Sequence, residues 1–286
     1  MDVDQRTISA AAARMAFRAR PLIVHSSLAS FGSVQGGAQA VLDGLLEGGR
    51  TVLLPSFSST FGVPRPNHQT PIAQNGIEDG FRGPTTGIGR VYTPTCEEID
   101  RDMGAVPAAL LNMDGAMRGM HPLNSFAAVG PDARTLVDGQ TALDVYAPIR
   151  ELAQRGGHIL LMGVGLEAMT ALHAAEEAAG RRPFRRWANG PDGNATAVAV
   201  GGCSRGFGAF DEVLTVVERR ERVGNSVWRA FPAQAAIALA TQAIQASPAR
   251  TRCHRAIAFV APTPWREVPA YLPSDCRNGL MTRNPS

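Results

Sequence analysis

Concentrated cysteine is missing from this sequence. Four cysteines (Cys96, Cys203, Cys253, Cys276) stand far apart among 286 residues, and no Cys-x-x-Cys pair occurs. The spacing of a zinc site is therefore absent, and no disulfide framework is demanded. A long apolar run is missing too. No stretch reaches the roughly 18 to 20 apolar residues of a bilayer-spanning helix. Residues 1–16 carry Asp2, Asp4, Arg6 and Arg14 where a signal peptide would have its apolar centre. Strong charge of one sign is also lacking: 28 basic residues face 25 acidic ones, for a net charge of +3. The clustered basicity of a nucleic-acid binder is not there. Two short arginine groups (Arg181, Arg182, Arg185, Arg186; Arg219, Arg220, Arg222) read as solvated surface or as contacts to a phosphate-bearing partner. The expectation is a cytoplasmic, reduced protein with no metal, no membrane partner and no nucleic acid.

What is present is a globular composition, 44% hydrophobic and 19% charged. Residues 9–18 are Ala-rich and predict a helix. Residues 21–28 (PLIVHSSL) predict a strand and turn, 36–47 an amphipathic helix stopped by Gly48-Gly49, and 51–57 (TVLLPSF) a second strand. That order is a βαβ unit with a parallel sheet. Residues 58–95 are rich in Gly, Pro, Thr and Asn, and read as a long substrate-facing loop excursion. Further on, 103–113 and 170–180 predict helices, 125–129, 158–162, 195–200 and 213–218 strands, and 232–246 a long helix. The fold class expected is α/β: a single domain over 1–286 with a central, partly parallel sheet flanked by helices. Residues 1–15 form an N-terminal helix or arm, and 262–286 an irregular tail.

In open α/β sheets, ligands gather outside the carboxyl ends of strands. Three segments fall there. After His25-Ser26-Ser27-Leu28, Gly36-Gly37 opens a helix. Hydroxyls and free N–H groups at a helix start suit a pyrophosphate, or simply cap an ordinary helix. Residues 163–168 (GVGLEA) match the G-x-G-x-x-A dinucleotide fingerprint, but they start past mid-chain and no acidic residue ends the next strand. Residues 202–206 (GCSRG) match the G-x-S-x-G nucleophile elbow. A hydrolase built on Ser204 would need Asp211 and His254, and no HGGG-type oxyanion loop occurs. Among the histidines, His68 and His254 read as solvated and His158 as structural, while His25, His121 and His173 lie beside turns or at a helix start. Glu176 follows His173 at i+3, so the two share a helix face. A carboxylate there can orient an imidazole for general-base work, or form a plain surface ion pair.

Taken together, VHSSL (24–28), TVLLPSF (51–57), MGAVP (103–107), AMRGMHPLNSFAAVG (116–130) and LLMGVGLEAMTALHAAE (160–176) resemble the aminoglycoside 3-N-acetyltransferase family in order and spacing. The fourth segment is similar to R-S-x-H-P-x-x-S-F-A-A-x-G, and the last to L-L-G-V-G-x-x-x-N-T-x-x-H-x-A-E. The resemblance implies direct acetyl transfer from acetyl-CoA to an amine, the lead acceptor being the 3-amino group of an aminoglycoside's 2-deoxystreptamine ring, with antibiotic resistance as the result. It implies His173 as the base, Glu176 as its support, and His121 on the acetyl-CoA side or polarising the thioester. Ser26, Ser27, Gly36 and Gly37 are then pantetheine and phosphate contacts. Arg118 pairs with a phosphate and Ser125 hydrogen-bonds the same cofactor. A polycationic acceptor prefers an acidic pocket, for which Glu78, Asp79 and Asp102 are the candidates; the acids at 97–102 also suit a helix cap. Met169 stands where the family pattern has asparagine, Gly119 where it has serine, Ala108 where glutamate is frequent, and Gly201-Gly202 where some relatives have Asp-His. These departures fall on the acceptor side. The rival readings are a serine hydrolase using Ser204 and a coenzyme A-binding relative acting on another amine.

Overall fold

The computed structural model describes residues 2–69 and 83–251, with the backbone alone at 73–74 and 77–78. A seven-stranded sheet forms the middle layer, built from β1 (Leu22–Ser26), β2 (Val52–Pro55), β6 (Met117–Arg118), β7 (Phe126–Val129), β8 (His158–Met162), β11 (Arg219–Val223) and β12 (Ser226–Pro232). Its order is β11-β12-β8-β1-β2-β7-β6. The centre is parallel: β1 pairs with β2 and β8, with Leu22 opposite Val52 and His158. Every other neighbouring pair in this sheet is antiparallel.

Side-chain alternation along the strands sorts two cores. Leu22, Val24, Leu54, Leu160 and Met162 face α1 (Gln5–Arg14), α2 (Gly37–Leu46) and α3 (Ala105–Leu111). Ile23, Leu53, Phe126, Ile159 and Leu161 face α4 (Ala133–Asp138), α5 (Ala147–Gln154), α6 (Ala171–Ala178) and α8 (Ala233–Ala246). The central strands are covered on both sides, which is why they read as unbroken apolar runs. Burying each Leu or Ile contributes roughly 1.5–3 kcal/mol.

A second sheet, ordered β10-β9-β3, joins β3 (Gly62–Val63), β9 (Phe184–Asn189) and β10 (Ala195–Val200), all antiparallel. The excursion after β2 therefore supplies a strand, and it also carries the hairpin of β4 (Ala73–Gln74) and β5 (Ile77–Glu78).

Three expectations are corrected. Residues 213–217 of the expected strand are helical, not extended: α7 (Asp211–Leu214) runs into a 3-10 turn over Thr215–Val217. Asp211 and Glu212 fill the helix's first turn, where carboxylates are favoured. The Thr215 hydroxyl donates back to the Asp211 carbonyl at 2.8 Å. The arginines at 185–186 are not loose surface, because they lie on β9 and Arg186 is buried. The first helix starts earlier than 9–18, capped by the Asp4 carboxylate accepting the Thr7 N–H at 2.8 Å. It ends before Ala16 and Arg18, which take φ of 56° and 50°. Residues 252–286, with the expected tail and His254, lie outside the described residues.

Candidate active site

A cleft of about 760 Å³ opens beyond the carboxyl ends of β1 and β8. His25 and Ser26 reach it from β1, Pro55 from β2, and Val164, Glu167 and His173 from the segment after β8. Residues 201–205 close it from the end of β10, and Asp102 and Met103 from the approach to α3.

His173 sits in the first turn of α6. Its Nδ1 lies 2.8 Å from Oε2 of Glu176, and Oε1 of the same carboxylate accepts from Arg181 Nη1 at 2.7 Å. All three side chains are largely buried. Arg181 is held in turn by the Thr251 hydroxyl and the Pro248 carbonyl. A carboxylate only accepts, so Nδ1 carries the proton in the neutral ring. Nε2, with its lone pair, is then left for the cleft. Phe207 packs edge-on to the imidazole with centroids 4.7 Å apart, and Tyr146 lies nearly parallel to it, 6.0 Å away at 16°. Position 201 is glycine for a steric reason: a Cβ there would overlap the Tyr146 hydroxyl and stand 3.1 Å from His173 Cδ2.

Two carboxylates line the cleft. Asp102 was expected on the acceptor side, and it also borders a smaller cavity of about 220 Å³ shared with Asp100 and Arg186. Sequence reasoning missed Glu167. Its carboxylate lies in the space that side chains at 165 and 208 would fill, where a Cβ at either position would overlap one of its oxygens. The signal available was its place inside the GVGLEA loop, between a strand end and a helix. Tyr146 was missed as well, since nothing in its local sequence points to a cleft. His25 is buried and its Nε2 has no partner among the described residues. Burial lowers its pKa to about 4, so it is neutral near pH 7.

Three expected contacts are otherwise engaged, and others lie off the cleft. His121 is fully buried: Nε2–H donates to the Ala199 carbonyl at 2.6 Å, and Nδ1 accepts from the N–H groups of Leu123 and Asn124 at 3.1 and 2.8 Å. With both nitrogens bound to backbone it has none to offer a thioester. It holds the turn that carries Asn124 to the cleft wall. Arg118 is also buried, and its guanidinium donates to the carbonyls of Cys96, Ser56 and Glu98 and to the Ser125 hydroxyl. That leaves no fork for a phosphate. Ser125 is buried between Arg118 and Ser56, away from the cleft. Gly36 and Gly37 open α2 with φ of 84° and 59°, and neither lines the cleft. Ser27 lies just past the Ser26 wall, its N–H donating to the Met162 carbonyl at 2.9 Å. Only the backbone of Glu78 is described, and Asp79 lies outside the described residues.

Ser204 does line the cleft, but Asp211 is ion-paired to Arg229 at 2.7 Å, so the hydrolase acid is committed elsewhere. The 163–168 loop leads into a 3-10 turn over Leu166–Ala168 instead of opening a helix directly, unlike a dinucleotide fingerprint. Among the described residues no group of three or more His, Cys, Asp or Glu is placed to hold a metal, and no helix is long and apolar enough to cross a membrane.

The comparisons with known proteins agree with one another. A family model described as aminoglycoside 3-N-acetyltransferase matches residues 23–245. The chain is 34% identical over 218 residues to aminoglycoside N(3)-acetyltransferase VIII of Streptomyces fradiae, a match covering 73% of this chain and 63% of that protein. It thus spans just under two thirds of that relative's length. Two solved structures share the fold. A variant of aminoglycoside acetyltransferase AAC(3)-IVa in complex with a gentamicin has a TM-score of 0.70 at 20% identity, covering 88% of this chain and 92% of that one. AAC-IIIb as a binary complex with CoASH has a TM-score of 0.69 at 19% identity, covering 86% and 97%.

Proposed function

The chain belongs to the aminoglycoside 3-N-acetyltransferase family, and we propose that it transfers an acetyl group from acetyl-CoA directly to an amine of an aminoglycoside, the 3-amino group of 2-deoxystreptamine being the lead acceptor. Antibiotic resistance, exercised in the cytoplasm, is the corresponding biological role. The observation that carries the reading is the His173–Glu176–Arg181 chain, whose His173 lines a cleft that the end of β1 also lines.

Acetyl-CoA supplies an activated carbonyl and a thiolate leaving group. This chain's residues supply the rest. An ammonium has no lone pair, so the acceptor must shed a proton to attack. Nε2 of His173 faces the cleft and takes that proton, while Glu176 keeps the ring in the tautomer that leaves Nε2 free and stabilises the imidazolium that forms. Arg181 holds Glu176 from behind, so the carboxylate does not swing away. Asp102 and Glu167 attract a polycation into the same cleft. Ser26 offers a hydroxyl and Arg205 a guanidinium for the polar parts of coenzyme A. Apart from its histidines, every basic side chain in this sequence is arginine, with no lysine at all. No lysine ε-amine of the protein therefore competes with the acceptor.

A thiol-release assay against a panel of deoxystreptamine aminoglycosides tests the reading. Turnover with at least one acceptor is expected. His173→Ala should abolish it while calorimetry still shows acetyl-CoA binding. Absence of thiol release across the panel, with acetyl-CoA bound, would instead favour a coenzyme A-binding protein acting on another amine.

A further inference from the structure

Tyr146 is buried, and its ring lies nearly parallel to the His173 imidazole, 16° from coplanar at a centroid distance of 6.0 Å. Phe207 also stands edge-on to the imidazole, with centroids 4.7 Å apart. The imidazole is thus held by a carboxylate at Nδ1 and by two aromatic rings. The Tyr146 hydroxyl has no protein hydrogen-bond partner among the described residues, although the side chain lines the cleft. Burial and the nearby carboxylates of Glu176 and Glu177 raise the phenol well above its usual range, so the hydroxyl stays protonated at any working pH. One point in space links it to the base. The Cβ that Gly201 lacks would overlap the hydroxyl oxygen and sit 3.1 Å from His173 Cδ2, the carbon bonded to Nε2. The hydroxyl therefore fills the space a side chain at 201 would take, beside the Cδ2–Cγ edge of the imidazole, and Tyr146, Gly201 and His173 all line the cleft.

We propose that Tyr146 positions the His173 imidazole with its ring and hydrogen-bonds the incoming amine with its hydroxyl, from the stretch of cleft wall that Tyr146, His173 and Gly201 share. The phenolic oxygen accepts an N–H of the amine while Nε2 takes the proton that is lost. This inference rests on the acetyl-transfer reading for its amine, but not for the ring contact.

Four variants separate the two roles. Tyr146→Phe keeps the ring and removes the hydroxyl. The expected result is a KM for the amine raised about tenfold, with the KM for acetyl-CoA unchanged. Tyr146→Leu removes the ring as well. Its kcat should fall about a hundredfold, and the ¹⁵N resonances of the His173 ring should move from a single Nδ1–H tautomer toward a mixture, whereas Tyr146→Phe keeps the single tautomer. Gly201→Ala should impair the enzyme by crowding the hydroxyl. In the Tyr146→Phe background the same change should cost little more than Tyr146→Phe alone, since its closest clash is gone. Wild-type kinetics in Tyr146→Phe would overturn the hydroxyl contact. An unchanged His173 tautomer in Tyr146→Leu would overturn the positioning role. A wild-type protein that acetylates no amine would sink the functional reading alone, because the ¹⁵N measurement still decides the ring contact without turnover.

Discussion

One oxygen of the Glu176 carboxylate lies 2.8 Å from Nδ1 of His173, and its other oxygen takes a hydrogen bond from Arg181 at 2.7 Å. The glutamate is thus fixed from both ends, and in the proposed mechanism its task is to orient the imidazole. Glu176→Gln keeps the shape but lets the amide present either a donor or an acceptor to the ring. We expect kcat to fall roughly a hundredfold, the lower end of what a positioned base contributes, with acetyl-CoA affinity unchanged. Steady-state kinetics beside calorimetry measures both. Equal loss of binding and turnover would show that the pair holds the fold of the cleft instead.

Glu167 gives a prediction about acceptors. Its carboxylate lies against the backbone at 165 and 208, facing the cleft. Glu167→Gln should raise the KM for the most highly charged aminoglycosides several-fold and leave a monoamine nearly unaffected. The wild-type KM should climb with ionic strength more steeply than that of the variant. Identical salt dependence in the two proteins would remove Glu167 from acceptor binding.

Arg118 is predicted to matter for stability, not for cofactor affinity. It ties three carbonyls and the Ser125 hydroxyl together inside the protein. Arg118→Ala strands those acceptors, at a cost of about 3 kcal/mol or more. Urea unfolding should show the loss, while the folded fraction binds acetyl-CoA as before. A stable variant with weakened acetyl-CoA binding would restore the phosphate role that its motif suggests.

Acid should unfold this protein through its histidines. Burial holds both His25 and His121 at about 4, against about 6.5 in an unfolded chain. Between those values the unfolded state binds protons that the folded state does not. The contribution of these two groups is complete above about pH 7 and is lost as pH falls toward 4, by roughly 3 kcal/mol for each. His25→Phe should flatten the stability curve across that window. A wild-type curve level from about pH 7 to about pH 4.5 would contradict it.

The contact of His173 with Glu176 was legible because both come from one helix turn, where i and i+3 spacing is itself geometry. The parallel centre was legible for a similar reason: VHSSL and LLMGVG are apolar runs that end abruptly in small and polar residues. Arg118, His121 and Ser125 misled because a motif names residues without saying whom they face. Each belongs to a segment whose partners, Ser56, Cys96, Glu98 and Ala199, are distant in sequence. Tyr146 and Glu167 stayed hidden because they reach the cleft only after other segments have folded around them. Residues 213–218 failed locally, since a short apolar stretch such as Val213, Leu214 and Val217 serves a helical turn as well as a strand.

The bond from His121 to the Ala199 carbonyl spans two sheets that are not otherwise paired by strand hydrogen bonds. It works as a rivet between the turn after β6 and the strands β9 and β10. Substitutions on the exposed side of β10, as at Thr196, would leave that tie untouched. Ala199 is also packed in the main core and donates its N–H to the Ala142 carbonyl at 2.7 Å, so losing the rivet would loosen this seam without opening it.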